Sequence, residues 1–160
     1  DTLFCDMYQA FESLSPEMRG FLTQLSARHD PKGHHLYLSG AKTLKELPSQ
    51  IHPVVRTHPR TGRNALYVNS GFTARIQDLT RNESDALLAM LFDHIIQGLS
   101  FQIRVRWEPD TVVFWDNRIV QHHAAWDYYP EIRHGYRATS IGEVPYLAAP
   151  EHAAAHLDTD

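Results

Sequence analysis

The chain has 160 residues, of which 42% are hydrophobic and 21% are charged. This composition excludes a collagen-like chain, a coiled coil and a wholly disordered chain, and the length suits a single domain with its own core. Fifteen basic and 19 acidic residues give a formal net charge of −4, so neither nucleic acid nor a membrane is an expected partner. A lone cysteine, Cys5, excludes an internal disulfide and favours a cytoplasmic location.

The first part of the chain, residues 6–29, is predicted to be helical. Apolar residues recur at three-residue intervals from Tyr8 to Leu14, which places them on one face of a helix. A second helix is predicted from residue 15, because a serine followed by a proline suits the N-cap and the first helical position. Residues 30–50 lack clear periodicity and are predicted to be a surface connection, with a lid as the alternative.

The middle of the chain is predicted to contain a hairpin and a long helix. Two β-rich segments, residues 52–57 and 65–69, flank a stretch of turn-forming residues. Thr80 and Glu83 then form a capping box, in which each side chain can bond the backbone amide of the other residue. This pattern predicts a helix that runs to about residue 97.

Four strands are predicted in the second half, at residues 101–107, 111–115, 122–126 and 133–141. Apolar residues alternate along the first of them, as in a half-buried antiparallel strand. Strands and helices do not alternate regularly, which argues against a Rossmann-type fold. The predicted fold class is therefore mainly β with flanking helices, a β-sandwich or jelly roll.

One domain is predicted over residues 1–147, and the Ala- and His-rich residues 148–160 are predicted to be a disordered tail. Within the domain, Trp107 and Trp126 are predicted to lie in the core. Cys5 is predicted to be a small buried residue.

A candidate metal ligand follows the Trp-Asp-Asn-Arg sequence of residues 115–118. His122 and His123 lie shortly after this polar turn, at a position that suits the mouth of a sheet. Neutral imidazole is a common ligand of divalent transition metals. The alternative is that both are ordinary polar strand residues, one on each face of the strand.

A candidate anion site is formed by Arg133 and Arg137. Residues four apart in a strand point to the same face, and two guanidinium groups on one face can grip a carboxylate or sulfonate. Gly135 between them would permit close approach of a ligand. The alternative is a solvated basic edge.

Together these segments resemble one known family. Residues 115–118, followed by His122, Arg133 and Arg137, are similar to the C-terminal motifs of the TauD/TfdA family of iron(II)- and 2-oxoglutarate-dependent dioxygenases. The similarity extends to further segments, namely residues 1–3, 52–59, 65–69, 71–73 and 101–107.

The resemblance implies a double-stranded β-helix (jelly roll), incomplete in this chain, and a set of residue roles. His122 would be the distal histidine of an Fe(II) site built from two histidines and one carboxylate. Thr2 and Arg133 would hold the distal carboxylate of the co-substrate 2-oxoglutarate, and Arg137 would hold the substrate anion. The implied reaction uses dioxygen to hydroxylate a small anionic organic substrate, such as taurine or another alkylsulfonate, and yields succinate and CO2. Family members often form homo-oligomers, so self-association is a further expectation.

The sequence departs from the family at the other two iron ligands. These belong to a His-x-Asp motif that precedes the segment matching residues 1–3, a position outside this sequence. The only His-x-Asp triplet here, residues 156–158, falls in the predicted tail. The chain is therefore predicted to be a C-terminal fragment that is inactive alone. The alternatives are a non-catalytic jelly-roll module that binds an anion, or an inactive remnant.

Overall fold

The computed structural model describes residues 1–149, except for the side chains of His34 and Leu38. Within this range there are four α-helices, eight strands and two short 3-10 helices. The helices are α1 (Met7–Glu12), α2 (Pro16–Leu22), α3 (Gly33–Ser39) and α4 (Arg81–Gln97), with 3-10 turns at Leu44–Glu46 and Leu99–Phe101. The strands are β1 (Thr2–Asp6), β2 (Ser26–His29), β3 (Gln50–Pro53), β4 (Val55–Thr57), β5 (Asn64–Leu66), β6 (Thr73–Ile76), β7 (Gln102–Val105) and β8 (Val120–Ala124).

The sheet that carries the candidate site has the strand order β7-β1-β8, and both pairings are antiparallel. Strand β1 is central because both of its edges are paired. At its end, Asp6 caps α1 by accepting a hydrogen bond from the backbone N–H of Tyr8 at 2.8 Å. The first strand and first helix are thus fixed to each other by one side chain.

A second sheet has the order β3-β2-β6, and β4 and β5 form a separate two-stranded sheet. The pairing of β4 with β5 confirms the predicted hairpin. The prediction of helix over residues 6–29 is wrong at its end, because α2 stops at Leu22 and β2 follows. Ala27 and His29 of β2 are buried whereas Arg28 is exposed, which is the alternation of a strand.

Helix α4 confirms the predicted capping box. Glu83 accepts a hydrogen bond from the backbone N–H of Thr80 at 2.8 Å, and the Thr80 hydroxyl lies 3.4 Å from the amide of Glu83. The helix buries Leu88, Leu91 and Ile95 in the core. Other members of the same core come from α1, α2 and the hairpin: Met7, Ala10, Phe11, Leu22, Val54, Val55, Ala65, Leu66 and Val68.

Two predicted strands are wrong. Residues 111–115 and 133–141 are irregular, since no neighbouring strand among residues 1–149 supplies a hydrogen-bonding ladder to either segment. The prediction that Trp126 is a core residue is also wrong, because the side chain is 81% exposed. Cys5, by contrast, is buried as predicted.

None of the helices within residues 1–149 has the length and apolar character needed to cross a membrane. The backbone amide of Ala148 bonds to the hydroxyl of Thr57 at 2.9 Å, so this residue contacts the β4–β5 sheet. The rest of the predicted tail, from residue 150 onwards, lies outside the described residues.

Candidate active site

The pairing register places His122 on a defined face of the central sheet. His122 lies opposite Phe4, Thr2 lies opposite Ala124, and His123 lies opposite Leu3. Because paired residues and residues two apart share a face, Thr2, Phe4 and His122 are on one face. His123 is on the other, as the alternation of strand residues predicts.

His122 has aromatic neighbours and a lowered pKa. Its ring centroid lies 5.2 Å from that of Trp115 and 6.0 Å from that of Phe4. The residue is exposed, yet desolvation by its surroundings lowers the pKa of the imidazole, and the positive charge of Arg137 lowers it further. The neutral form favoured by this environment is the form that binds a metal ion.

Thr2 and Arg133, which are 131 residues apart in the sequence, lie together. The Arg133 Nη1 atom is 3.5 Å from the Thr2 hydroxyl oxygen and donates a hydrogen bond to the Asp1 carbonyl oxygen at 3.3 Å. The guanidinium group also lies over the ring of Tyr128, 5.4 Å from its centroid. Thr2 is only 5% exposed, so its position is fixed by the sheet, while the exposed Arg133 reaches it from an irregular segment.

Arg137 lies apart from this pair, beside His122. Both line a wide groove of about 2230 Å³, together with Phe4 and Trp115. The prediction that Arg133 and Arg137 share one face depends on both lying in a single strand. That strand is absent, because residues 133–141 are irregular. The structure therefore brings Arg133 to Thr2 and Arg137 to His122.

A network of charged side chains supports the turn before β8, and sequence reasoning missed it. Asp116 accepts hydrogen bonds from the side chain of Arg118 at 2.6 and 2.8 Å, and from the ring of His58 at 3.0 Å. Arg118 also lies 3.7 Å from Glu143, which pairs with the buried Arg56. The hydrogen bonds from Arg118 hold the pKa of Asp116 well below its usual value.

The tautomer of His58 follows from its partners. Its Nδ1 atom accepts from the backbone amides of Arg60 at 3.3 Å and Thr61 at 3.2 Å. The proton is therefore on Nε2, which donates to the Asp116 carboxylate. The local turn was accessible to sequence reasoning, because an aspartate commonly bonds the backbone N–H two residues later. The long-range contact with His58 was not.

Within residues 1–149, no three His, Cys, Asp or Glu side chains lie close enough together to hold a metal ion. His122 can therefore supply one ligand to a metal, and a stable site needs further ligands from other residues.

The chain matches the model of one known protein family. Residues 1–139 match the family model described as taurine catabolism dioxygenase TauD, TfdA family. The chain therefore belongs to the TauD/TfdA family, in which proteins act as 2-oxoglutarate-dependent dioxygenases.

Two relatives and one solved structure illustrate the similarity. The chain is 42% identical to the α-ketoglutarate-dependent dioxygenase cnsM of Penicillium expansum, covering 91% of this chain and 42% of the relative. It is 39% identical to an α-ketoglutarate-dependent sulfonate dioxygenase of Saccharomyces cerevisiae, covering 91% and 36%. A taurine dioxygenase from Burkholderia xenovorans superposes with a TM-score of 0.65 at 34% identity, over 76% of this chain and 40% of that one. The chain thus spans about two fifths of the proteins it matches.

Proposed function

We propose that this chain is the C-terminal part of a cytoplasmic iron(II)- and 2-oxoglutarate-dependent dioxygenase that hydroxylates a small anionic organic substrate. The proposed fold of the whole domain is a jelly roll, of which the β7-β1-β8 sheet is one portion. The remaining iron ligands would come from a His-x-Asp motif upstream of residue 1. Self-association of the complete protein is also part of this proposal.

The observation that carries the proposal is the meeting of Thr2 and Arg133 on the sheet face that also carries His122. A charged donor and a hydroxyl side by side suit one end of a dicarboxylate. A neutral imidazole on the same face suits a metal ion that binds the other end of 2-oxoglutarate. This combination supports a co-substrate role more specifically than any one residue does.

Three residues of this chain would bind the two anionic ligands, 2-oxoglutarate and the prime substrate. Arg133 holds the distal carboxylate through charge-assisted hydrogen bonds, and Thr2 adds a short directional bond. Arg137 attracts the substrate anion into the groove beside His122. The iron ion, when bound, would supply the oxygen chemistry that converts 2-oxoglutarate to succinate and CO2.

The proposed substrate class is a sulfonate or a related small anion. Arg137 provides a positive charge in the groove, and the yeast relative is described as a sulfonate dioxygenase. The volume of the groove, about 2230 Å³, is well above the several hundred Å³ of a pocket that encloses a small ligand. It therefore leaves room for further residues that would narrow the groove.

The test compares His122→Ala with His123→Ala in the longer protein that carries this chain and the upstream motif. We expect His122→Ala to abolish succinate formation and iron binding, because it removes a metal ligand. His123→Ala is the matched control and should keep both, since it lies on the opposite sheet face. Undiminished succinate formation by His122→Ala would refute the assignment. Anion binding without turnover in the unmodified protein would instead indicate a non-catalytic module.

A further inference from the structure

The Thr2 hydroxyl has a second hydrogen-bond partner besides Arg133, the indole of Trp107. Trp107 lies two residues beyond Val105, which pairs with Thr2 across β1 and β7. Its indole Nε1 atom lies 2.8 Å from the Thr2 hydroxyl oxygen. An indole N–H is a donor only, so the threonine oxygen must accept this bond.

The two donors around Thr2 leave its hydroxyl proton free for a ligand. Arg133 can also only donate, and it approaches the same oxygen at 3.5 Å. Among residues 1–149, the Thr2 hydroxyl oxygen contacts these two donors, and its proton is bonded to no acceptor. With its oxygen accepting from Trp107 and approached by Arg133, the hydroxyl has its proton available for an acceptor placed beside Arg133.

We propose that Trp107 is a positioning residue that holds the Thr2 hydroxyl as a donor to the carboxylate of 2-oxoglutarate. The inference rests on the proposed co-substrate role of Thr2 and Arg133. Without the indole N–H, the rotation of the hydroxyl is less restrained, and its proton is no longer held towards the co-substrate. The donor would then have to be reoriented each time the co-substrate binds.

The test uses Trp107→Phe in the longer protein, with the exposed Trp126→Phe as the matched control. Trp107→Phe keeps an aromatic ring and removes the N–H. We expect the KM and the anaerobic dissociation constant for 2-oxoglutarate to rise about three- to tenfold, the effect of losing one neutral hydrogen bond. The KM for the prime substrate and the melting temperature should stay unchanged, as should all four quantities in Trp126→Phe.

A double-mutant cycle separates positioning from packing. In a Thr2→Val background, Trp107→Phe should not weaken 2-oxoglutarate binding further, whereas in a Thr2→Ser background, which keeps the hydroxyl, it should. An equal loss in the Thr2→Val background would overturn the proposal. If Trp107→Phe does not fold, Trp107→Met fills space without any N–H or O–H donor and is subject to the same outcomes.

The outcome for Arg133→Lys distinguishes this inference from the proposed function. If Arg133→Lys weakens 2-oxoglutarate binding but Trp107→Phe does not, the positioning role is wrong and the co-substrate site stands. If neither change affects 2-oxoglutarate binding, the co-substrate site itself is wrong, and the positioning role falls with it.

Discussion

His29 is a buried histidine that packs against other rings. His29 is 9% exposed, and its ring packs 5.3 Å from that of His52 and 5.6 Å from that of Tyr67. The pKa of His29 is lowered from 6.5 to about 4, chiefly by desolvation and then by the nearby His52, while Asp30 opposes the shift. Within residues 1–149, the Nε2 atom of His29 is buried without a hydrogen-bond partner, so a charge there would be poorly solvated.

We predict that the stability of the chain falls as the pH is lowered from about 6.5 to about 4. The unfolded chain takes up a proton at His29 in this window and the folded chain does not, so protonation favours unfolding. The full effect is on the order of 3 kcal/mol. The measurement is urea unfolding across this pH range for the unmodified chain and for His29→Gln, which should lose much of the slope. The exposed His134→Gln is the control and should keep it.

At the scale of elements, the turn before β8 determines where His122 lies. Asp116 accepts hydrogen bonds from the backbone N–H and side chain of Arg118, and its own carbonyl accepts from the backbone amides of Ile119 and Val120. The ring of His58 joins this turn to the β4–β5 hairpin. The turn is therefore stabilised both locally and by a distant part of the chain.

We predict that Asp116→Asn lowers the free energy of unfolding by about 1–2 kcal/mol. The substitution keeps the size of the side chain but removes the charge that Arg118 and the buried His58 bond, and the partial exposure of Asp116 limits the loss. The check is the urea midpoint, with the exposed Glu131→Gln as control. Equal midpoints for Asp116→Asn and the unmodified chain would show that the network contributes no net stability.

The elements that the sequence predicted best are those with local signals. The capping box at Thr80 and Glu83 defines α4 without tertiary contacts. Residues 111–115 show the limit of such reasoning, because β-rich composition does not make a strand without a partner. Val112 and Phe114 are exposed while Val113 and Trp115 are partly buried, so the alternation of a strand is present without its ladder.

At the scale of the whole molecule, the site combines residues from both ends of the chain. The family resemblance predicts a shared role for Thr2 and Arg133, but only the folded chain brings them within 3.5 Å. The strand argument that joined Arg133 to Arg137 failed, and the two arginines lie in different surroundings. The contacts of Thr2 with Trp107 and of Asp116 with His58 span 105 and 58 residues, and no local pattern predicts such pairs.

Arg133 and Arg137 are proposed to bind different ligands. Arg133 contacts Thr2, so it should hold 2-oxoglutarate, whereas Arg137 lines the groove beside His122 and should attract the prime substrate. Lysine cannot reproduce the bidentate geometry of arginine, so even a conservative change at Arg133 should be costly.

The most direct test is a pair of saturation curves, one for 2-oxoglutarate and one for the prime substrate, with Arg133→Lys and Arg137→Ala in the longer protein. Arg133→Lys should raise the KM for 2-oxoglutarate on the order of ten- to a hundredfold, since hydrogen bonds to a charged group are lost. Arg137→Ala should raise chiefly the KM for the prime substrate. An unchanged 2-oxoglutarate curve for Arg133→Lys, together with a strong shift of that curve for Arg137→Ala, would show that the roles of the two arginines are exchanged.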